Sequence, residues 1–242
     1  ALIQNLNDLR KEIIFIKNID NVVPDRLKET TIKYKKVLGG YLFRLQQQLF
    51  EYLLMLDEGG LEKEDINEIV GFAKDTLMIE IPEYFETYNA IEKIDFLYNK
   101  LNRPMRICGM VRNEGEPGGG PYFVKNQNDE TSLQIVEYSQ MNHADEKQEE
   151  ILKNATHFNP VDLVCATQNY KGNSFDLTDY IDHSTGFISQ KSKDGKELKA
   201  LELPGIWNGA MADWITIFVD VPIITFNPVK TVNDLLRETH QQ

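Results

Sequence analysis

The chain is poor in the residues that build metal clusters and redox centres. Two of its 242 residues are cysteine and four are histidine. The histidines, at 143, 157, 183 and 240, show no metal-ligand spacing, and neither HExxH nor CxxC occurs, so a structural zinc site is not expected. Cys108 and Cys165 lie far apart, each in an apolar run, and read as buried thiols of a protein kept in a reducing, cytoplasmic setting. No GxSxG elbow is present, which leaves a hydrolase triad without sequence support. The standard phosphate loops, GxxxxGK[ST] and GxGxxG after a strand, are missing too. No apolar run approaches a bilayer span and no signal-peptide pattern opens the chain, so no membrane partner is expected. Cationic residues number 26 against 38 acidic ones, a net charge of −12. A nucleic-acid surface needs clustered Lys and Arg and is excluded as a partner, whereas a small anionic ligand needs only a local positive pocket.

What is present is an ordinary globular composition, 41% apolar and 26% charged, enough for one large domain or two small ones. Residues 12–17 form a continuous apolar run that predicts a strand buried on both faces, as in a parallel sheet. The run stops at Asp20-Asn21, and Pro24-Asp25 suit the first turn of a helix. Tyr34, Leu38, Tyr41, Leu45, Leu49, Tyr52 and Leu56 step by three or four, the stripe of one long helix, with a kink expected at Gly39-Gly40 and an end at Gly59-Gly60. Residues 62–101 read as mostly helical, with Pro82 opening a new segment.

The texture changes at Pro104. Strands are expected at 105–111, 122–125, 132–138, 160–166, 214–219 and 223–226, helices at 144–154 and 232–238, and a hairpin turn at 191–196. The glycine-rich stretch 115–121 reads as a mobile hairpin tip, with phosphate contact at Gly118–Gly120 as the alternative. The fold class is therefore α/β, a mixed sheet with a large helical insertion or subdomain at 25–101 inside one domain spanning 1–242. The chain starts at Ala1 already within a helical pattern, from which the carboxyl-terminal part of a longer protein, incomplete at its amino terminus, is expected.

Three segments place polar groups after strands. Asp20 at a strand end suits Mg²⁺, which takes one or two carboxylates and keeps waters and substrate phosphates; the alternative is an Asx turn before Pro24. Asn21 beside it has the donors for a sugar or a base. Glu137, closing the strand at 132–138, reads either as an acceptor for sugar hydroxyls or as a surface carboxylate. Lys230, after a strand and a proline turn, reads either as a phosphate-neutralising charge or as an ordinary exposed lysine.

Together these segments resemble the UDP-sugar pyrophosphorylases, in particular the UDP-N-acetylhexosamine type. Asn18-Ile19-Asp20-Asn21 is similar to that family's Val-Asp-Asn element. Ile107–Val111 and Ile135-Val136-Glu137-Tyr138-Ser139 match its Val-Gly-Val-Val and Val-Val-Glu-Tyr-Ser strands. Phe226-Asn227-Pro228-Val229-Lys230-Thr231 matches Phe-x-Pro-Leu-Lys-Asn, with threonine in place of the last asparagine. A weaker match sets Thr156-His157-Phe158 against Asn-His-Phe. A closer resemblance is to a bacterial family, the domain of unknown function 4301, whose members read much like residues 5–9, 15–25 and 133–140.

The resemblance implies a Rossmann-like nucleotidyltransferase fold of GT-A type. The implied reaction joins a sugar 1-phosphate to a nucleoside triphosphate, giving a nucleotide sugar and pyrophosphate. It also implies Mg²⁺ on Asp20, sugar contacts from Asn21 and Glu137, a substrate-binding role for His157, and Lys230 as the catalytic charge on the phosphates. A glycine-rich nucleotide loop would belong to an amino-terminal segment of the same protein. A non-catalytic sugar-nucleotide-binding or interaction protein is the alternative reading.

Overall fold

The computed structural model describes residues 2–115, 118–193, 195–206 and 208–241. In chain order, a short helix α1 (Leu2–Asp8) leads into strand β1 (Ile13–Lys17), and a helical block follows: α2 (Lys28–Glu58), α3 (Lys63–Gly71) and α4 (Ala90–Leu101). Strands β2 (Met105–Arg112), β3 (Gly119–Lys125) and β4 (Thr131–Glu137), helix α5 (Glu146–Lys153), and strands β5 (His157–Ala166), β6 (Phe187–Lys193), β7 (Lys196–Glu202) and β8 (Ile215–Asp220) complete the elements.

The central sheet is mixed, in the order β1-β5-β2-β8. β5 runs antiparallel to both β1 and β2, while β8 lies parallel to β2. The carboxyl ends of β1, β2 and β8 therefore emerge at one edge, together with the start of β5. Strand alternation sends side chains to two cores. On one face Ile107, Val164 and Ile217 pack beneath Leu38, Leu42, Leu45 and Leu49 of α2 and Leu97 and Leu101 of α4. Each such buried side chain is worth roughly 1.5–3 kcal/mol of apolar transfer. On the other face Cys108, Leu163 and Cys165 meet Ile3 and Leu6 of α1, with Met211 and Trp214. Both thiols are free and fully buried, and burial pushes Cys108 up to about 11 and Cys165 higher still, which keeps them inert.

Several expectations are corrected. β1 is antiparallel to its neighbour and borders the sheet, not buried on both faces in a parallel one. Paired on one side only, it leaves Phe15 51% exposed. The expected kink at Gly39-Gly40 is absent, because α2 runs unbroken from 28 to 58 and ends at Gly59. Gly39 makes room for Phe15, whose ring a Cβ there would meet at 2.8 Å, whereas Gly40 faces open space. Gly40→Ala is accordingly expected to stabilise the protein by about 0.5–1 kcal/mol through helix propensity. The same change at Gly39 should gain less because the Phe15 ring must shift; urea denaturation of the two variants compares them.

The strand expected at 223–226 is a single 3₁₀ turn, Ile223–Thr225, opened by Pro222. The helix expected at 232–238 is two 3₁₀ turns, Val232–Leu236 and Glu238–His240. Finally, Gly119 and Gly120 do not form a hairpin tip. They pair with Glu137 and Val136 inside the β3–β4 ribbon, and Glu116 and Pro117 of the same stretch lie outside the described residues. Gly118, at φ +147°, packs so tightly on Phe158 that a Cβ would stand 2.5 Å from the ring.

Candidate active site at the carboxyl edge of the sheet

Beyond β1 the chain turns at Asn18–Asn21. The Asn18 N–H donates to the Val161 carbonyl (3.1 Å), and the Asn18 Oδ1 accepts from Ile19 (3.1 Å). That side-chain bond belongs to Asn18, and the Asp20 carboxylate has no hydrogen-bond or ionic partner among the described residues. The Asp20 main chain, by contrast, is fixed, its carbonyl accepting from the Val229 N–H at 2.8 Å.

Asn21 makes that arrangement rigid. It is 4% exposed. Its Nδ2 donates to the Thr225 carbonyl (3.1 Å) and its Oδ1 accepts from the Asn227 N–H (2.8 Å), while Val22 N–H donates to the Asn227 carbonyl (3.1 Å). Residues 20–22 are thereby laced to 225–229, and this lacing carries Lys230 to Asp20. The sequence suggested a sugar contact for Asn21; its amide is engaged with backbone instead. Asn227 had no signal beyond its place beside Pro228.

Lys230 is exposed, and its ammonium has no ionic partner among the described residues. Its position is set by Asp234, whose carboxylate accepts from the N–H groups of Lys230 (2.9 Å) and Thr231 (2.7 Å), bonds that lower the Asp234 pKa. Glu137 ends β4 half-buried. Its carboxylate accepts from the backbone of Gln140, while the Gln140 side chain takes the Glu137 N–H at 3.0 Å.

These pieces converge. Asp20, Glu137 and Lys230 line one cleft with Asn18, Gly118, Gly119 and the Phe158–Val161 segment. Its volume is about 140 Å³. The floor is strained: Val161 sits at φ +54°, an outlier for a β-branched residue, held by the Asn159 Oδ1 accepting its N–H at 3.0 Å. His157 stands at the same sheet edge but does not line the cleft. Its Nδ1 contacts Thr156 Oγ1 (2.8 Å) and its Nε2 lies 3.6 Å from Asp220. Among the described residues no three His, Cys, Asp or Glu side chains cluster as a metal cage.

Just beyond Glu137, His143 stacks on Tyr138 with ring centroids 4.0 Å apart. Its Nδ1 meets Glu149 (2.6 Å) and its Nε2 the Tyr138 carbonyl (2.9 Å). Both partners are acceptors, so both contacts are hydrogen bonds only in the imidazolium form. The Glu149 hydrogen bond, foremost, raises the His143 pKa. A raised folded pKa means stability that is fully present below the unfolded value, near 6.5, and lost as pH rises through the folded value. The Tyr138–Gln140 turn is expected to loosen over that window. NMR titration of the Tyr138 and His143 signals should follow one curve, and His143→Gln should abolish it.

Residues 1–241 of the chain match the family described as domain of unknown function 4301, and the protein belongs to that family. No curated protein sequence matches it. Among solved structures, a UDP-glucose pyrophosphorylase variant from Leishmania major in complex with UDP-glucose is similar at 19% identity and a TM-score of 0.36, covering 62% of this chain and 33% of that one. A UDP-glucose phosphorylase from Trypanosoma brucei is similar at 18% identity and a TM-score of 0.38, covering 62% of this chain and 32% of its own. The chain spans about a third of the length of these structures. Among the described residues no helix is long and apolar enough to cross a membrane.

Proposed function

We propose that this member of the domain of unknown function 4301 family carries the phosphosugar half of a nucleotidyltransferase site of GT-A type. In this reading a sugar 1-phosphate attacks a nucleoside triphosphate and pyrophosphate leaves. One observation carries the reading: Asp20, Glu137 and Lys230, far apart in sequence, line a single cleft at the carboxyl edge of the sheet, where open α/β sheets bind ligands.

The donor set fits Mg²⁺ in the form that ion prefers, one or two carboxylates with the remaining positions left to water and phosphate. Asp20, without a side-chain partner among the described residues and held by its backbone, would hold the ion, and the ion would supply charge for the phosphate oxygens. Lys230 adds a compact cation on the same side. Glu137, oriented by Gln140, accepts from sugar hydroxyls. Asn21 is assigned a positioning role, since it laces Asp20 to the Lys230 segment.

At about 140 Å³ the cleft is below the roughly 300 Å³ of a full ligand pocket, which suits a phosphosugar head and leaves the nucleotide to surfaces elsewhere in the full-length protein. The helical block at 25–101 is then an insertion within the same domain. The test is pyrophosphate release by the encoded full-length protein with Mg²⁺, across sugar 1-phosphates and nucleoside triphosphates. Turnover that needs all three components supports the assignment; no turnover and no sugar-phosphate binding across the panel overturns it.

A further inference from the structure

A second cleft, of about 530 Å³, adjoins β4 and is separate from the Asp20 site. Its size falls within the range of small-molecule pockets. One wall is the β3–β4 ribbon. The other is the segment around residues 180–187, held to residues 209–213 by the Asp182 N–H donating to the Gly209 carbonyl (2.9 Å) and the Asp213 N–H donating to the Tyr180 carbonyl (3.3 Å). These two bonds set Asp182 and Asp213 on the same wall.

The chemistry of the lining is selective. The Asp213 carboxylate has no partner among the described residues. Asp182 spends Oδ1 on the N–H (2.8 Å) and hydroxyl (2.6 Å) of Ser184, leaving its second oxygen open. Lys125, the cation in the lining, is neutralised by Asp129 at 2.8 Å. Two carboxylates therefore line the cleft with no lysine or arginine of its described lining ion-paired to them. Phe187 and Ile181 supply apolar surface beside the carboxylates.

We infer that this cleft binds a neutral polyhydroxylated ring, a sugar or cyclitol without a phosphate. Carboxylates are acceptors only, and neighbouring hydroxyls on one ring donate to them as a pair. The C–H face of the same ring packs on Phe187. The ligand class differs from that proposed for the Asp20 cleft, where the Lys230 ammonium has no ionic partner among the described residues and would face the phosphate.

Methyl α-glucoside is a suitable probe, with glucose 1-phosphate as the anionic comparison. Saturation-transfer NMR and amide-shift mapping on the intact protein should show the glucoside binding and shifts at 182–187 and 209–213. Asp213→Asn should weaken it about tenfold, the scale of one charge-assisted hydrogen bond, and Phe187→Ala should weaken it through the lost apolar packing. Asp20→Ala should leave it unchanged. Circular dichroism of each variant separates lost binding from lost fold, and the shift map on the unmodified protein needs no variant. The inference is overturned if the glucoside gives no transfer, if its shifts lie elsewhere, or if glucose 1-phosphate occupies this cleft more tightly.

Discussion

Asp20→Asn is expected to reduce Mg²⁺-dependent pyrophosphate release by about 10²–10³-fold, the scale seen when one preorganised charge-stabilising group is lost at a reacting centre. Asparagine keeps the size and the backbone bond from Val229 but removes the charge proposed to hold the ion. Because the Asp20 side chain supports no other described contact, the variant should unfold at the same urea concentration as the parent protein. Lys230→Met tests the second charge. Each substitution should weaken sugar 1-phosphate binding, and both together should lose less than the sum, since the two groups line one cleft and are proposed to serve the same phosphate. Full activity in Asp20→Asn would remove the carboxylate from the mechanism.

Lys35→Met is expected to cost about 3 kcal/mol of folding stability. Asp162 of β5 is buried, with 4% of its side chain exposed, and Lys35 of α2 is ion-paired to it. Removing one member of a buried pair leaves the other charge desolvated, a loss of roughly 3–5 kcal/mol. The lower end applies because Lys17 stands opposite Asp162 in the β1–β5 register and retains part of the compensation. Lys17 is itself half-buried. Desolvation lowers its pKa first, Asp162 opposes that shift, and the Lys35 and Lys28 charges add to it. Lys35→Met combined with Asp162→Asn should recover more than half of the loss in urea denaturation, since a neutral amide needs no counter-ion. The pair also ties the helical block to the residue after strained Val161, so loss of Lys35 should slacken the cleft floor as well as the fold.

The elements that position the site were largely legible in the sequence, because hydrophobic period reports strands and helices directly. The α2 stripe, the strand before Asp20 and the β4 segment ending at Glu137 all stand where the pattern put them. Sheet neighbours were not legible. A run such as Ile13–Lys17 looks buried on both faces whether it is central or, as here, a border strand with Phe15 laid against Gly39. Side-chain commitments were also hidden. Asn21 and Asp20 are adjacent polar residues after a strand, yet one is consumed by Thr225 and Asn227, more than two hundred residues away, while the other stays open. The glycines at 118–120 carried the opposite lesson. Their meaning is close packing on Phe158 and pairing with β4, which composition alone does not distinguish from a loop tip.

Asp20, Glu137 and Lys230 are proposed to form one cation- and phosphate-binding cleft. Mn²⁺, a paramagnetic substitute for Mg²⁺, tests it directly by the pattern of NMR line broadening, read with glucose 1-phosphate present. The account predicts that substoichiometric Mn²⁺ broadens the amide signals of Asp20, Gly119, Glu137 and Lys230 first, and that Asp20→Asn abolishes the effect while the signals around Leu177 stay sharp. Broadening centred on Asp182 and Asp213, or on the acidic start of α3, with the Asp20 cleft untouched, would contradict it.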